Sequence, residues 1–390
     1  MELFYRVSLQ EIVADALSLV EERELSSKHA LERVFRKVAG NDREKARGLA
    51  HAYVFEIEKW RGGKIDFIIN SILRGGSTVE DLDPLPGEPP QDRNLRDPLQ
   101  KGAPPAVATD SIIRVVKERF DLSRARFVNA LMRSIEGFDV ERALKKLKER
   151  DRIGWLSVRF SHPRWYVEYA IDLLGYDEAV KLLLSNNRPQ RYYVRANTLK
   201  TDVDSLRDYL EENGVRTALT PVPDVLKVLE YRKPVTRLEW YREGKFVIQD
   251  LASAYVAHVL NPEPGERVLD LAAAPGGSKT FHAAALMENR GGEIVAVDYS
   301  YDRLMRMREK MKLLGIENVK LVHADGQSFR DGEGGFDRVI LDAPCSSSGT
   351  YRQFPEVKWR FNEDKIRKII SVQRNMLRNA YENLRDGGGR

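Results

Sequence analysis

Val268 to Thr280 reads VLDLAAAPGGSKT, and further along Ile340 to Gly349 reads ILDAPCSSSG. Each stretch opens as a short apolar run that ends in a carboxylate, Asp270 or Asp342, and then breaks into a loop of small residues and proline. A strand of parallel sheet delivers side chains to a ligand at its carboxyl end in this way. Working outward, RVLDLAA reads as a first strand and TFHAAALM as a first helix, then EIVAVD, YDRLMRMREKMKLLG, VKLVHAD and DRVILDAP as strand, helix, strand and strand. That alternation predicts an α/β, Rossmann-like doubly wound parallel sheet. Four carboxylates, Asp270, Asp298, Asp325 and Asp342, fall at four consecutive strand ends. Any one of them could merely cap the helix that follows, but solvated charge is a poor account of the set.

The first loop excludes one common ligand. A dinucleotide fold shows G-x-G-x-x-G so that the backbone can approach a pyrophosphate, whereas this loop is AAAPGGSK. Asp298 follows Gly277 by about twenty residues, the distance at which a carboxylate commonly takes ribose hydroxyls. A loop of small residues with a ribose-binding acid and no phosphate fingerprint suits S-adenosyl-L-methionine better than NAD.

The two motifs resemble those of the RsmB/Fmu/Sun family of RNA cytosine-carbon-5 methyltransferases. YVRANTLKT (Tyr193 to Thr201), FVIQDLASAYVAHVL (Phe246 to Leu260) and FPEVKWR (Phe354 to Arg360) are similar to further blocks of that family, in its order. The resemblance covers roughly residues 150 to 386, and the helical stretch before it looks like the NusB-like domain that precedes the catalytic part in the family. It implies residues 1–150 as a NusB-like helical RNA-binding domain, 151–255 as a small α+β RNA-recognition domain and 256–390 as an incomplete catalytic domain. The cofactor would be held by Ala272, Ala273, Ala274, Pro275, Gly276, Gly277, Ser278, Asp298, Arg303, Asp325 and Asp342, with Lys279 near the target base.

The chemistry explains why such a family needs these residue types. Carbon 5 of cytosine is too weak a nucleophile to take a methyl group directly, so a thiolate must first add to carbon 6 and turn the ring into an enamine. The charge this puts on the ring must be neutralised near N3, and Asp342, three residues before Cys345, is placed to do so. In the family one cysteine of a later Thr-Cys motif makes the adduct, and the Pro-Cys cysteine, here Cys345, helps expel the product. This chain departs from the pattern twice. Ser278 stands where the family has its lysine, which moves Lys279 one step on, and the sequence reaches LRDGGGR without a Thr-Cys. The expectation is a shortened form of a longer protein, with strand four left as a bare edge of a sheet that runs 3-2-1-4-5-7-6 in the family. The alternative is a catalytically dead RNA-binding protein of the same fold.

Two basic stretches predict the RNA surface. Tyr351 to Arg378 interleaves Lys358 and Arg360 with Phe354, Trp359 and Phe361, a mixture suited to neutralising phosphates and stacking splayed bases. Its bland alternative, a solvated amphipathic helix, fits the part beyond Lys365. Arg188 to Lys200, RPQRYYVRANTLK, puts forward Arg195 and Asn197 as RNA-facing.

The remainder sets bounds. Helical stripes at Ile12, Val13, Ala16, Leu17 and Val20, at Leu31, Val34, Phe35 and Val38, at Leu49, Ala50, Tyr53 and Ile57, at Ile65, Ile68, Ile69 and Ile72, and at Ile112, Ile113, Val116 and Phe120 are expected core faces. Asp83 to Ala106 holds seven of the 17 prolines and no helical period, and reads either as a flexible insert or as a stretch translated out of frame. One cysteine excludes a disulfide framework, and six scattered histidines show no metal-ligand spacing. No apolar run is long enough to span a bilayer and no signal peptide opens the chain. A cytoplasmic monomer that binds RNA, without metal or membrane, is therefore expected; the net charge of +5 is mild for such a role.

Overall fold

The computed structural model describes residues 9–38, 43–73, 78–79, 113–114, 116–117, 122–274, 276–332, 334–360 and 363–387. The proline-rich stretch 83–106, and Ile112, Phe120, Pro275 and Phe361, lie outside them. The chain divides into two compact units, one of residues 1–189 with 347–361, the other of 190–346 with 362–390. The first division falls well beyond the boundary expected at 150, so that three further helices join the N-terminal body.

That body is helical: α1 (Leu9–Glu22), α2 (Ser27–Phe35), α3 (Arg43–Trp60), α4 (Lys64–Ile72), α5 (Leu122–Glu136), α6 (Val140–Arg150), α7 (Arg152–Phe160), α8 (Arg164–Leu174) and α9 (Tyr176–Asn186). Ile12, Ala16, Val20, Leu31, Val34 and Phe35 form one core with Ala46, Ala50 and Val54. On α3 the stripe differs from expectation: Tyr53 is exposed and Val54 and Glu58 are buried. A tyrosine can sit at the margin of a face that alanine and valine fill, as Tyr53 does beside Ala50 and Val54. None of the isoleucines of α4 is fully buried. A second core gathers Leu156, Tyr166, Val167 and Leu183.

The second unit holds two four-stranded sheets. The smaller is antiparallel in the order β2-β3-β1-β4, from β1 (Tyr192–Ala196), β2 (Val215–Leu219), β3 (Val225–Tyr231) and β4 (Phe246–Ile248). Helix α10 (Val203–Glu212), capped by Asp202, closes one face through Leu206 and Leu210. The short α11 (Glu239–Arg242) leads into β4, and α12 (Leu251–Leu260), capped by Asp250, leads on to the larger sheet.

The larger sheet is parallel, in the order β7-β6-β5-β8, from β5 (Arg267–Asp270), β6 (Glu293–Asp298), β7 (Val319–His323) and β8 (Arg338–Ile340). This is the expected 3-2-1-4 arrangement, and the strands are short apolar runs because helices cover both faces. On one side lie α13 (Ser278–Leu286) and α14 (Tyr301–Leu314), packing Phe281, Met287 and Met307 against Val268 and Ile294. On the other lies α15 (Glu363–Glu382), whose Met376 and Ala380 meet Leu269, Leu271, Val295 and Val297. Beyond α15 the backbone turns back beside β8: Phe336 N donates to Asn383 O and Arg385 N to Phe336 O, a parallel bridge of Phe336 with Leu384. The far edge of β8 is thus already paired at its amino end, where a bare edge was expected.

Leu269 is fully buried in the central strand. Its replacement by alanine should cost about 3 kcal/mol, a transfer term plus the cavity left behind. Denaturant unfolding of the two forms measures this.

Candidate functional site

Register brings the chemistry to one rim. Asp270 pairs with Ala296 on one side and Ile340 on the other, and Asp298 pairs with His323, so the carboxyl ends of all four strands lie abreast. Asp270 is buried at the middle of that rim and accepts from Thr280 Oγ1 at 2.6 Å and from Ala272 N at 3.3 Å. Burial pushes its pKa up to about 6, against the pull of those hydrogen bonds. Its oxygens are thus spent on the loop and on α13.

The loop between them is shaped by one glycine. Gly277 has φ +57°, and a Cβ there would lie 2.6 Å from the Phe281 ring and 2.8 Å from Met307. A side chain is therefore excluded both by conformation and by space. Gly276, by contrast, would meet nothing within 4 Å, so the loop faces open space on that side. Lys310, half-buried on α14, donates from Nζ to Gly276 O at 3.2 Å. Burial, followed by the charge of Arg195, lowers its pKa.

Asp298 is buried and bridges the loop to its own strand end, accepting from Ala274 N at 3.1 Å and Ser300 N at 2.9 Å. A carboxylate has about four acceptor positions, so roughly two remain for a pair of vicinal hydroxyls. Asp325 is exposed and accepts from Gln327 N at 2.9 Å. Arg303 is half-buried, with its guanidinium 5.7 Å from the Tyr299 ring centroid. Ala272, Ala274 and Gly276 are half-buried, Ala273 is buried, and Ser278 opens α13. This donor set, open over Gly276 and with spare acceptors at Asp298, fits a nucleoside whose ribose meets β6.

Two of the three candidate catalytic residues are in contact. Lys279, in the first turn of α13, donates from Nζ to Asp342 Oδ2 at 2.5 Å, across from the first motif to the second. Asp342 and Cys345 are exposed on the loop that leaves β8, and Gln373 Nε2 on α15 fixes that loop through Pro344 O at 2.8 Å. A lysine and carboxylate in contact can pass a proton to a ring nitrogen and stabilise the charge left behind.

The expected RNA contacts are corrected. Arg195 is 2% exposed; its Nε donates to Gln249 Oε1 at 2.8 Å and its Nη1 lies 3.9 Å from Asp224 Oδ2. Burial lowers its pKa to about 10. Asn197 is equally buried, donating from Nδ2 to Gly244 O and Leu314 O and so tying the small sheet to α14. Lys358 is completely buried, donating to Asn187 Oδ1 at 2.8 Å and Lys59 O at 3.4 Å. Arg360 is half-buried and turned to Leu25 O at 2.5 Å and Val20 O at 3.3 Å. Their charge is directed at protein acceptors. The exposed basic face in this region is instead that of α15, with Lys368, Arg374 and Arg378.

One constellation escaped the sequence altogether. Asp224, in the turn before β3, meets His258 Nε2 of α12 and His282 Nε2 of α13, each at 2.7 Å. The donor atoms of the three lie within 4.8 Å of one another. Arg195 already supplies a positive charge beside them, so the group reads as an ionic knot that joins the small sheet to the helix after the glycine loop. Burial works against the Asp224 carboxylate, but hydrogen bonds from His282 and His258 and the Arg195 charge outweigh it and bring its pKa to about 2. Burial drives His282 down to about 4. Only HADGQ-like local patterns were readable; these three residues lie far apart in sequence, and no spacing announces them.

Strand order, loop and acidic rim together define a Rossmann-like methyltransferase. Comparison with known proteins narrows the class. The family model for "16S rRNA methyltransferase RsmB/F" matches residues 257–389, and that for the "Methyltr_RsmF/B-like, ferredoxin-like domain" matches residues 162–236. Over 295 residues the chain is 30% identical to the probable ribosomal RNA small subunit methyltransferase B of Bacillus subtilis (strain 168), covering 73% of this chain and 63% of that protein. It is 34% identical over 233 residues to the 28S rRNA (cytosine(4447)-C(5))-methyltransferase of Homo sapiens, covering 59% and 28%. The crystal structure of PH0851 superposes with a TM-score of 0.76 at 29% identity, covering 99% of this chain and 85% of that one. This chain belongs to the RsmB/F methyltransferase family. It spans less than two thirds of the length of these curated relatives.

The His282 value fixes a pH dependence. Its folded pKa lies below the unfolded value of about 6.5, so the stability it contributes is present above pH 6.5 and lost as pH falls toward 4. The full loss approaches about 3 kcal/mol for this fully buried side chain. Asp270 changes in the opposite sense, its folded form being favoured below about pH 6. The clean measurement is therefore a difference: His282→Asn should remove about one proton of pH dependence between pH 6.5 and 4 in unfolding titrations.

Proposed function

We propose that this chain forms the cofactor pocket and part of the catalytic centre of an S-adenosyl-L-methionine-dependent methyltransferase that acts on carbon 5 of cytosine in ribosomal RNA. The observation that carries the reading is the Lys279–Asp342 pair, which joins the loop after β5 to the loop of Cys345. An N-methyltransferase needs no thiol at that loop, and a NAD enzyme needs a different glycine pattern.

On this reading the residues divide the work. Asp298 takes the ribose hydroxyls with its spare acceptor positions while fixing Ala274, and Arg303 and Asp325 flank the nucleoside. The cofactor supplies the electrophilic methyl group. Asp342, partnered by Lys279, neutralises N3 as a thiolate adds at carbon 6, which makes carbon 5 nucleophilic. The adduct belongs to the cysteine of a Thr-Cys motif, and Cys345 assists its breakdown. The exposed basic face of α15 supports RNA binding, where phosphates need neutralising. Family relatives that act on ribosomal RNA support that substrate. A monomer in the cytoplasm without a metal remains part of the proposal; among the described residues no helix is long and apolar enough to cross a membrane.

Calorimetry should find S-adenosyl-L-methionine bound at micromolar strength, about −8 kcal/mol. Asp298→Ala should weaken this by more than the ~1.5–3 kcal/mol of a lost charged hydrogen bond, because the amide of Ala274 is released as well. Binding of NAD in its place would overturn the cofactor assignment. Lys279→Met should lower methyl transfer to unmodified ribosomal RNA by about 10²–10⁴-fold, the range of a lost proton-transfer group. In the protein that carries both cysteines, Cys345→Ala should accumulate a covalent RNA adduct, visible as a shifted band on denaturing gels. Full turnover without adduct in that variant would remove Cys345 from the mechanism.

A further inference from the structure

Read from sequence, the part of the chain beyond Lys365 is a solvated amphipathic helix. Half of that description holds. Met376 and Ala380 of α15 are buried against the parallel sheet, and polar side chains on either side of them tie down two rim loops. Gln373 Nε2 donates to Pro344 O beside Cys345, Asn375 Nδ2 to Gln327 Oε1 at 3.2 Å, and Asn379 Nδ2 to Gly326 O at 2.8 Å, just past Asp325. The outward side is not an ordinary solvated face. Arg367, Ser371, Arg374 and Arg378 follow at intervals of four, three and four residues, so they form one ridge roughly 16 Å long. All four are exposed. A solvated helix face usually alternates its signs, with a carboxylate three or four residues from each cation. Between Asp364 and Glu382, however, α15 has no acidic residue, and Glu382 is taken by Arg330. Among the described residues neither Arg374 nor Arg378 meets a carboxylate.

The ridge borders a shallow groove of about 370 Å³, lined by these four residues with Ile370 and Asn375. No acidic side chain lines it. A groove of about 540 Å³ beside β2 is of another kind: it mixes Glu211 and Glu230 with Arg216 and Arg232, and Arg216 Nη2 already donates to Glu230 Oε1 at 2.6 Å. A row of guanidinium groups with no acid of its own calls for anions in a row. We propose that Arg367, Arg374 and Arg378 form a phosphate track, which grips the sugar–phosphate backbone of a single-stranded RNA whatever its sequence. It is a binding site and takes no part in methyl transfer. Ile370, Leu377 and Tyr381, exposed on the neighbouring row, would suit a protein helix. The run of cations without an acidic residue favours the polyanion. The inference rests on the reading above in taking RNA as the substrate, and adds where the strand is held and by which of its groups.

The test titrates the full chain with a short unstructured RNA of mixed sequence at several salt concentrations. A single strand contributes a slope of about 0.7 per phosphate neutralised, so Arg367→Gln, Arg374→Gln and Arg378→Gln together should reduce the slope of log affinity against log salt by about 2. Equivalently, the ratio of the original to the variant affinity should shrink about twentyfold between roughly 50 and 200 mM salt. Lysine at all three positions should keep the slope, since a point charge also binds phosphate. Glutamine at Arg308, Lys312 and Lys320, three exposed cations elsewhere on the same unit, should leave it nearly unchanged. A slope unaltered in the ridge variant, or lost equally in both glutamine variants, would overturn the proposal. So would a light-scattering mass that rises with concentration and reverts in the ridge variant, because the face would then belong to a second copy. Calorimetry with S-adenosyl-L-methionine separates the two readings. Ridge-dependent RNA binding by a chain that takes no cofactor would sink the functional reading and leave the track standing; cofactor binding without a ridge-dependent slope would do the opposite.

Discussion

Everything at the rim of the parallel sheet depends on placing Asp270 inside it. An acidic side chain at the buried end of a central strand must find donors, and Thr280 and Ala272 supply them. Satisfying that carboxylate forces the backbone between them into a compact loop, which Gly277 alone can complete, and starts α13 within reach of β8. Lys279 then projects from the first turn to Asp342. The proposed catalytic pair is in this sense a by-product of solving a burial problem one strand away. Asp298 repeats the device from β6, anchoring Ala274 while keeping acceptors for a ligand. Asp270, spent wholly on structure, and Asp298, spent in part, thus shape the loop from which Lys279 meets Asp342.

The parts of this arrangement that sequence displays are those with a local signature. Acid-terminated apolar runs, helices between them and a glycine pair are all contiguous, so the order 3-2-1-4 and the loop of 272–278 follow from reading along the chain. Burial of charge has no such signature. Arg195 and Asn197 sit in a basic, aromatic stretch that would look the same if it faced RNA; what hides them is Gln249, Asp224, Gly244 and Leu314, none of which is near in sequence. FPEVKWR is ambiguous for the same reason, since aromatic residues beside lysine and arginine serve equally to stack bases or to fill a protein groove. The Asp224, His258 and His282 knot was invisible because each residue comes from a different element.

A common thread joins these misses. In each, a long cationic or polar side chain reaches backbone carbonyls or a single carboxylate of another element, and so ties elements together where apolar contacts alone would leave freedom to slide. Hydrogen bonds to charged groups, when fully satisfied, specify geometry more sharply than burial does. The small sheet is coupled to the glycine loop by this means, through Asn197 to Leu314 and through Asp224 to His282.

The crossing of the chain at 346/347 also bears on how the protein is made. The first 189 residues leave the ribosome with grooves for Tyr351, Lys358 and Trp359 still vacant, and the segment that fills them is translated only after the small sheet and all four strands of the large one. At about 5–20 residues per second that interval is on the order of ten seconds or more. The N-terminal helices must persist through it with an incomplete interior, exposed to chaperones and to premature association, and they reach their final state only when the second unit is nearly whole. Strictly domain-by-domain folding in the order of synthesis is therefore closed to this chain, and its two units mature together.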